Sequence, residues 1–486
     1  MIKNVPFYLL VFASGALVMV NEIIGARLLN PYFGSSTATW SSVLGVSLAA
    51  LALGYYAGIK AISRADVSQS LCASVLIAAS GIAVLSPAIQ TTIFPLLLTL
   101  NLDLATVLGA VSVLFVPMTL LGSLTPMLTE CFPAIERQPG MRTGVVLLVS
   151  TMGGLLGSLA IGLWAIPYCG LRESLSASVL ISSLISLLAI QKRARSAATL
   201  ACLIILYLTG RVWVQGSHPL QRESISGKVE LRRLGSGQDE VVKLVVNRIT
   251  QAGYHPTSNP KALAEYPYLL GMTQLVNLQP KQKALCLGLG GGTLPNLLCA
   301  QGCQVTAVEF DSFIITLARD HFRLNPRIRV IQDDARHFIN LSKDHYDAVF
   351  VDLWWGESPP EHCFTVEAFT LLKARLNDTG LVVINLPGSR TGAAAEEIQC
   401  VLHTLQKAGF STELYTTGLD VRSSNVLVLA SKSTHHPIAR DKGELIQLQV
   451  RSTRNDVHTD NRPVLAHLAR KANHEVRKGH LGLPAR

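Results

Sequence analysis

The chain has 486 residues, of which 49% are hydrophobic and only 15% charged, against about 25% charged in ordinary soluble domains. Residues 1–215 carry 11 Lys/Arg and 6 Asp/Glu, leaving 31 basic and 26 acidic side chains to the rest. This asymmetry excludes a single soluble domain, a disordered chain and a simple one-helix anchor; it reads as a membrane part followed by a soluble globule.

Apolar stretches run at 5–27, 39–60, 70–98, 104–128, 143–166 and 171–191, each near or above the ~20 residues that cross hydrocarbon. The first is too long for a cleavable signal, and more spans follow it. A seventh stretch, 198–210, suits an interfacial helix as well as a span. Basic residues gather in the even-numbered loops: Lys60 and Arg64, Arg137 and Arg142, then Lys192, Arg193 and Arg195. The positive-inside rule therefore puts those loops in the cytoplasm. Six spans would leave the soluble part there too, and seven would put it outside. Glu22 and Arg27 in the first span are costly in lipid, so either a helix–helix contact or a substrate contact accounts for them. Gly54, Gly58, Gly153, Gly154, Gly157 and Gly162 suit close helix packing.

From Glu223 to about Val246 the chain alternates apolar and polar residues around Gly235-Ser236-Gly237, which predicts a small antiparallel β unit. A Pro/Tyr-rich connection follows. Strands are then expected at 284–289, 305–309, 328–332, 347–352, 380–385 and 425–430, and helices at 294–301, 312–322, 365–375 and 393–408. This alternation predicts a Rossmann-like, doubly wound parallel sheet. The division is a transmembrane domain (1–215), a β unit with its connection (216–275), the Rossmann-like domain (276–470) and a basic tail (471–486).

The strongest site signal is Ala284-Leu-Cys-Leu-Gly-Leu-Gly-Gly-Gly-Thr293, a buried strand running into a glycine turn and a helix. The second strand ends in Glu309, the third in Asp333-Asp334-Ala335, the fourth in Asp352. A glycine loop and acids at successive carboxyl ends are where a nucleoside binds in such sheets; Asp334 could alternatively cap a short helix at 335–342. Contiguous glycines and three acids suit an adenosyl sulfonium better than a nicotinamide dinucleotide.

The net charge of +10 concentrates at membrane-flanking loops and after Ser433. This fits a surface beside anionic headgroups of a lipid bilayer, and no aromatic-and-basic stripe points to a nucleic-acid partner. The nine cysteines are irregularly spaced; Cys299 and Cys303, four apart, would share a helix face. No spacing completes a zinc site, so no metal is expected, and His435-His436 reads as a solvated segment. Unpaired thiols favour a reducing compartment.

The sequence resembles the spermidine synthase (polyamine aminopropyltransferase) family in its membrane-bound, fused form. The resemblance rests on the glycine loop, Val308-Glu309-Phe310-Asp311, Asp333 to Phe338, Tyr346 to Asp352, Phe364 to Phe369, Asn385 and Thr459 to Pro463. In the membrane part it rests on Glu22, Arg27, Leu28 to Ser35 and Trp40. It implies transfer of an aminopropyl group from decarboxylated S-adenosylmethionine to a small amine such as putrescine. Because adenosyl donors are made in the cytoplasm and the thiols are unpaired, the expectation is a protein of the cell (inner) membrane with a cytoplasmic catalytic domain and 198–210 interfacial or not fully crossing. By position, Asp352 would be the catalytic base and Tyr268 an active-site tyrosine. Gly288, Gly290, Gly291, Gln274, Glu309, Asp334 and Ala335 would bind the donor. Soluble members form dimers or tetramers, which makes a homo-oligomer an implied partner state. Two departures stand out. Gly291 occupies the place of an aspartate that holds the aminopropyl ammonium, and Trp355 that of an aspartate for the acceptor's far amine. The alternatives are a methyl or other alkyl transferase using intact S-adenosylmethionine, or a transporter with an adenosyl-ligand-binding domain.

Overall fold

The computed structural model describes residues 4–33, 37–64, 66–132, 138–190, 220–224, 226–236, 240–254, 266–354, 359–386, 393–417, 425–432, 445–448, 456–461, 464–465 and 468. The 198–210 stretch, Trp355, His435, His436 and the tail from 471 lie outside them. The chain forms two compact units, 1–219 and 220–486.

Among the described residues of the first unit, six helices are long and apolar enough to cross a membrane: Val5–Phe33, Ala38–Arg64, Gln69–Thr92, Leu102–Glu130, Pro139–Ala165 and Leu171–Ala189. All six coincide with the expected apolar stretches. The first and fifth touch backbone to backbone, because a Cβ at Gly153 would overlap the Phe12 carbonyl oxygen. Small residues are what permit such an approach. Glu22 is 9% exposed and Asn21 6%, so the first helix turns its polar pair into the bundle.

The second unit begins with an antiparallel sheet of β1 (Gln221–Ser224), β2 (Gly227–Leu234), β3 (Val241–Val246) and β4 (Ile249–Tyr254). Val229, Leu231, Val242, Leu244 and Val246 pack on Ile314, Leu317 and Phe322, so the alternation seen in the sequence buries one face against a helix. The Pro/Tyr-rich connection is partly structured after all: Pro267–Val276 is a helix whose Leu269, Met272 and Leu275 are buried.

The main sheet follows. Its strands are β5 (Lys283–Leu287), β6 (Gln304–Glu309), β7 (Arg329–Gln332), β8 (Tyr346–Val351), β9 (Leu376–Leu386), β10 (Ser411–Thr416), β11 (Val426–Ser431) and β12 (Ile446–Leu448). Their order is β12-β10-β11-β9-β8-β5-β6-β7. The five strands β5 to β9 are parallel, as expected for a Rossmann-like core. The sheet is nevertheless mixed, because β10, β11 and β12 add on antiparallel. β10 and β12 escape the sequence reading: β10 alternates too weakly to register, and β12 has three residues.

Chain order reverses at β5, which has β8 on one side and β6 on the other. Leu287 pairs with both Val308 and Val351, and Glu309 pairs with Gln332. The next residues, Gly288, Asp352 and Asp333, therefore leave the sheet beside Glu309 at the switch point. Crevices there are where such sheets bind ligands.

Candidate active site

A cavity of about 240 Å³ opens at this edge. Gly288, Gly290, Glu309, Asp333, Asp334, Ala335, Tyr268 and Asp352 all line it, together with Leu244 and Val246 from the small sheet. Gly288 has φ +94°, and a Cβ there would overlap the Asp352 carbonyl oxygen. Glycine is thus what lets β5 and β8 converge under the cavity floor.

Two expected residues are not brought to the cavity. Gln274 lies on the exposed face of the Pro267–Val276 helix and is absent from the lining; the helix spends its apolar face on the core and turns this amide outward. Gly291 is buried behind the loop, where a Cβ would come 2.8 Å from Phe322 and 2.9 Å from Ala252. The contact of β4 with the glycine loop fills the space a side chain would need. Cys299 and Cys303 also part company: the helix ends at Ala300, and Cys303 follows its cap.

Glu309 grips the glycine loop. Its Oε2 accepts from Leu289 N at 3.1 Å and its Oε1 from Asp311 N at 3.0 Å. Burial pushes its carboxyl above the ordinary range, and these backbone donors oppose the shift. Gly290 N is a third backbone donor to this carboxylate; an ionised carboxylate has about four acceptor sites, so capacity for a ligand hydroxyl remains. Asp311 caps the next helix through Phe313 N at 2.9 Å and also binds Ser224, tying the small sheet to the cavity wall.

Asp334 does two jobs. Its Oδ1 caps the Ala335–Leu341 helix, accepting from Arg336 N and His337 N at 3.0 Å each, while its Oδ2 meets His362 Nε2 at 2.8 Å. Burial raises its pKa, but His362 and the two backbone donors outweigh burial and hold it below the ordinary carboxylate range. The capping reading and the ligand reading of this residue are both met, since the capped carboxylate still lines the cavity. His362 is a contact the sequence reading missed. It sits in a short 3-10 turn, Glu361–Cys363, with no periodic pattern to mark it.

Asp352 is fixed by neighbours. Asn385 Nδ2 donates to its Oδ1 at 2.9 Å, and Asn385 Oδ1 accepts from Asn425 Nδ2 at 2.8 Å. Tyr268 supplies a second hydrogen bond. Burial raises the Asp352 pKa, with Asn385 and Tyr268 opposing. The Tyr268 hydroxyl is raised well above its usual value by burial and the Asp352 charge, so it stays a donor. Trp354 Nε1 donates to the Asn385 carbonyl at 3.3 Å, placing an aromatic wall beside Asp352. The arrangement brings three carboxylates to one cavity, those of Glu309 and Asp352 raised by burial and that of Asp334 lowered by its hydrogen-bond partners.

Residues 269–442 match the spermine/spermidine synthase domain. An N-terminal histidine N-methyltransferase from Emericella nidulans is 29% identical over 161 residues, 32% of this chain and 29% of its own length. A polyamine aminopropyltransferase from Vibrio vulnificus is 31% identical over 128 residues, 25% of this chain and 43% of its own. The chain thus spans less than half of each of these relatives. Among solved structures, a probable spermidine synthase from Corynebacterium glutamicum aligns with a TM-score of 0.38 at 20% identity, covering 44% of this chain and 80% of that one.

Proposed function

We propose, from the match of residues 269–442 to the spermine/spermidine synthase domain, that this chain transfers an aminopropyl group from decarboxylated S-adenosylmethionine to an amine. The observation that carries the reading is the convergence of Glu309, Asp334 and Asp352 on one cavity. Glu309 accepts from the ribose hydroxyls and Asp334 holds the adenine side. The two carboxylates also suit the positive charge of the sulfonium.

An ammonium is not a nucleophile, so the acceptor must lose a proton. Asp352, raised by burial and oriented by Asn385, takes that proton. The amine nitrogen forms its new bond to the carbon beside sulfur, and the carbon–sulfur bond breaks. Sulfur leaves with the bond pair as a neutral thioether, so no acid is required on that side. Tyr268 donates to the carboxylate and limits its rotation. Proton transfer by such a positioned group contributes about 10²–10⁴-fold.

A second reading is methyl transfer from intact S-adenosylmethionine, and one observation favours it. Phe322 and Ala252 back Gly291 so closely that no carboxylate can stand there. The donor's carboxylate then meets no repelling acid at that position, and one relative is named a methyltransferase. Incubation with each donor and a panel of amines separates the readings: methylthioadenosine released from the decarboxylated donor supports the first, adenosylhomocysteine from the intact donor the second.

The six apolar helices anchor the enzyme in the cell membrane. With six spans, the basic residues of the even-numbered loops support a cytoplasmic catalytic domain, on the side where adenosyl donors are made.

A further inference from the structure

Beside the proposed adenine pocket, three different donor atoms converge from two segments. A carboxylate oxygen of Asp334, a ring nitrogen of His362 and Cys363 Sγ lie within 4.8 Å of one another. Asp334 and Cys363 both line the cavity. The geometry points to a transition-metal site of the Zn²⁺ class on this wall, built from Asp334, His362 and Cys363, whose occupancy competes with the adenosyl donor.

The donor set is mixed oxygen, nitrogen and sulfur, which suits Zn²⁺ or Co²⁺ far better than Mg²⁺ or Ca²⁺. A tetrahedral ion bonded at about 2.0 Å to oxygen and nitrogen and about 2.3 Å to sulfur needs its donors roughly 3.2–3.7 Å apart. The His362–Asp334 separation of 2.8 Å must therefore open by about half an ångström, and the thiol must draw in. The ion then replaces the proton between Nε2 and Oδ2, and the thiol proton goes to solvent.

The ligands are already aimed. Oδ1 of Asp334 is spent on Arg336 N and His337 N, leaving Oδ2 as the oxygen turned toward the imidazole. Arg336 Nη1 donates to the His362 carbonyl at 2.9 Å and pairs with Asp460 at 2.6 Å, pinning the turn that carries His362 and Cys363. Outer contacts of this kind orient ligands in metal sites. Three protein ligands leave a fourth position for water or a competing group, and here the wall faces the cavity. Asp334 cannot serve the ion and an adenine with the same oxygen, so each ligand must weaken the other by the same factor.

The test uses the full chain in detergent. Co²⁺ titration should produce a thiolate-to-metal charge-transfer band, abolished in Cys363→Ser and weakened in His362→Gln, with folding of both checked by melting. Independently of any variant, Zn²⁺ should slow iodoacetamide alkylation of Cys363 in the wild-type chain about tenfold, mapped by peptide mass spectrometry, and should weaken calorimetric binding of methylthioadenosine by roughly tenfold or more. No thiolate band, a band that survives Cys363→Ser, or unchanged Cys363 alkylation overturns the site. A confirmed site without weakened nucleoside binding overturns the competition. The competition rests on the transferase reading, but the metal site does not: failure of methylthioadenosine to bind metal-free protein would sink the former and leave the Co²⁺ spectrum to decide the latter.

Discussion

Asn385 donates its side-chain N–H to Asp352 Oδ1 at 2.9 Å, and its own carbonyl oxygen is held by Asn425 at 2.8 Å. The second contact fixes which end of the Asn385 amide faces the carboxylate. Asp352 is thereby given a donor, which favours its ionised form against the burial that opposes it.

The pH dependence follows. Asp352 must be ionised to accept a proton, and its pKa lies above the ordinary carboxylate range. Activity, measured as kcat/KM, rises with pH through that raised pKa and is lost as pH falls below it. Asn385→Asp replaces the donor with a like charge, so the rising limb should move up by about one unit or more. An unmoved limb would show that another group titrates.

Asp352→Asn keeps shape and the capacity to accept from Asn385 while removing the base. We expect kcat to fall about 10²–10⁴-fold, with the melting temperature unchanged or raised because a buried charge has gone. Steady-state transfer and thermal unfolding of the same preparation check both parts.

Glu309→Gln should act on the donor instead. The amide keeps one acceptor oxygen for the glycine loop and loses charge-assisted bonds to the ribose, each worth about 1.5–3 kcal/mol. Methylthioadenosine affinity should drop about 10–100-fold, read by calorimetry, with a smaller change in the pH limb of activity.

Two glycines of the same loop should behave differently. Gly290 has φ +51° with nothing within 4 Å of a Cβ, so Gly290→Ala should cost about 1–2 kcal/mol of backbone strain. Gly288→Ala adds overlap with the Asp352 carbonyl to its strain and should cost about 4 kcal/mol or more, read as loss of folded protein or of cavity binding.

Apart from Tyr268, the residues that reached the cavity as expected lie at the ends of parallel strands or in the turns just after them. Val305 to Glu309 and Ala348 to Asp352 each read as an apolar run closed by an acid, and strand register carries the acids to one level. Tyr268 and Gln274 share one helix, but only Tyr268 lies on the face that lines the cavity. His362 lies in a short turn with no sequence regularity, whereas Asn425 opens an expected strand and only the tertiary fold brings its side chain to Asn385. The bulk around Gly291 depends on Phe322 and Ala252, residues distant in sequence from the loop. Gly291 shows in sequence as a missing acid; that no acid fits there needs three dimensions.

The central claim is that the cavity binds an adenosylated sulfonium and that Asp352 deprotonates the amine it alkylates. Mass spectrometry of the products formed by wild-type and Asp352→Asn chains, each supplied with the decarboxylated donor and a diamine, tests it most directly. The account predicts methylthioadenosine together with an aminopropylated amine from the wild type and a loss of both in the variant. An absence of adenosyl product from either donor, or equal yields from the two chains, would contradict it.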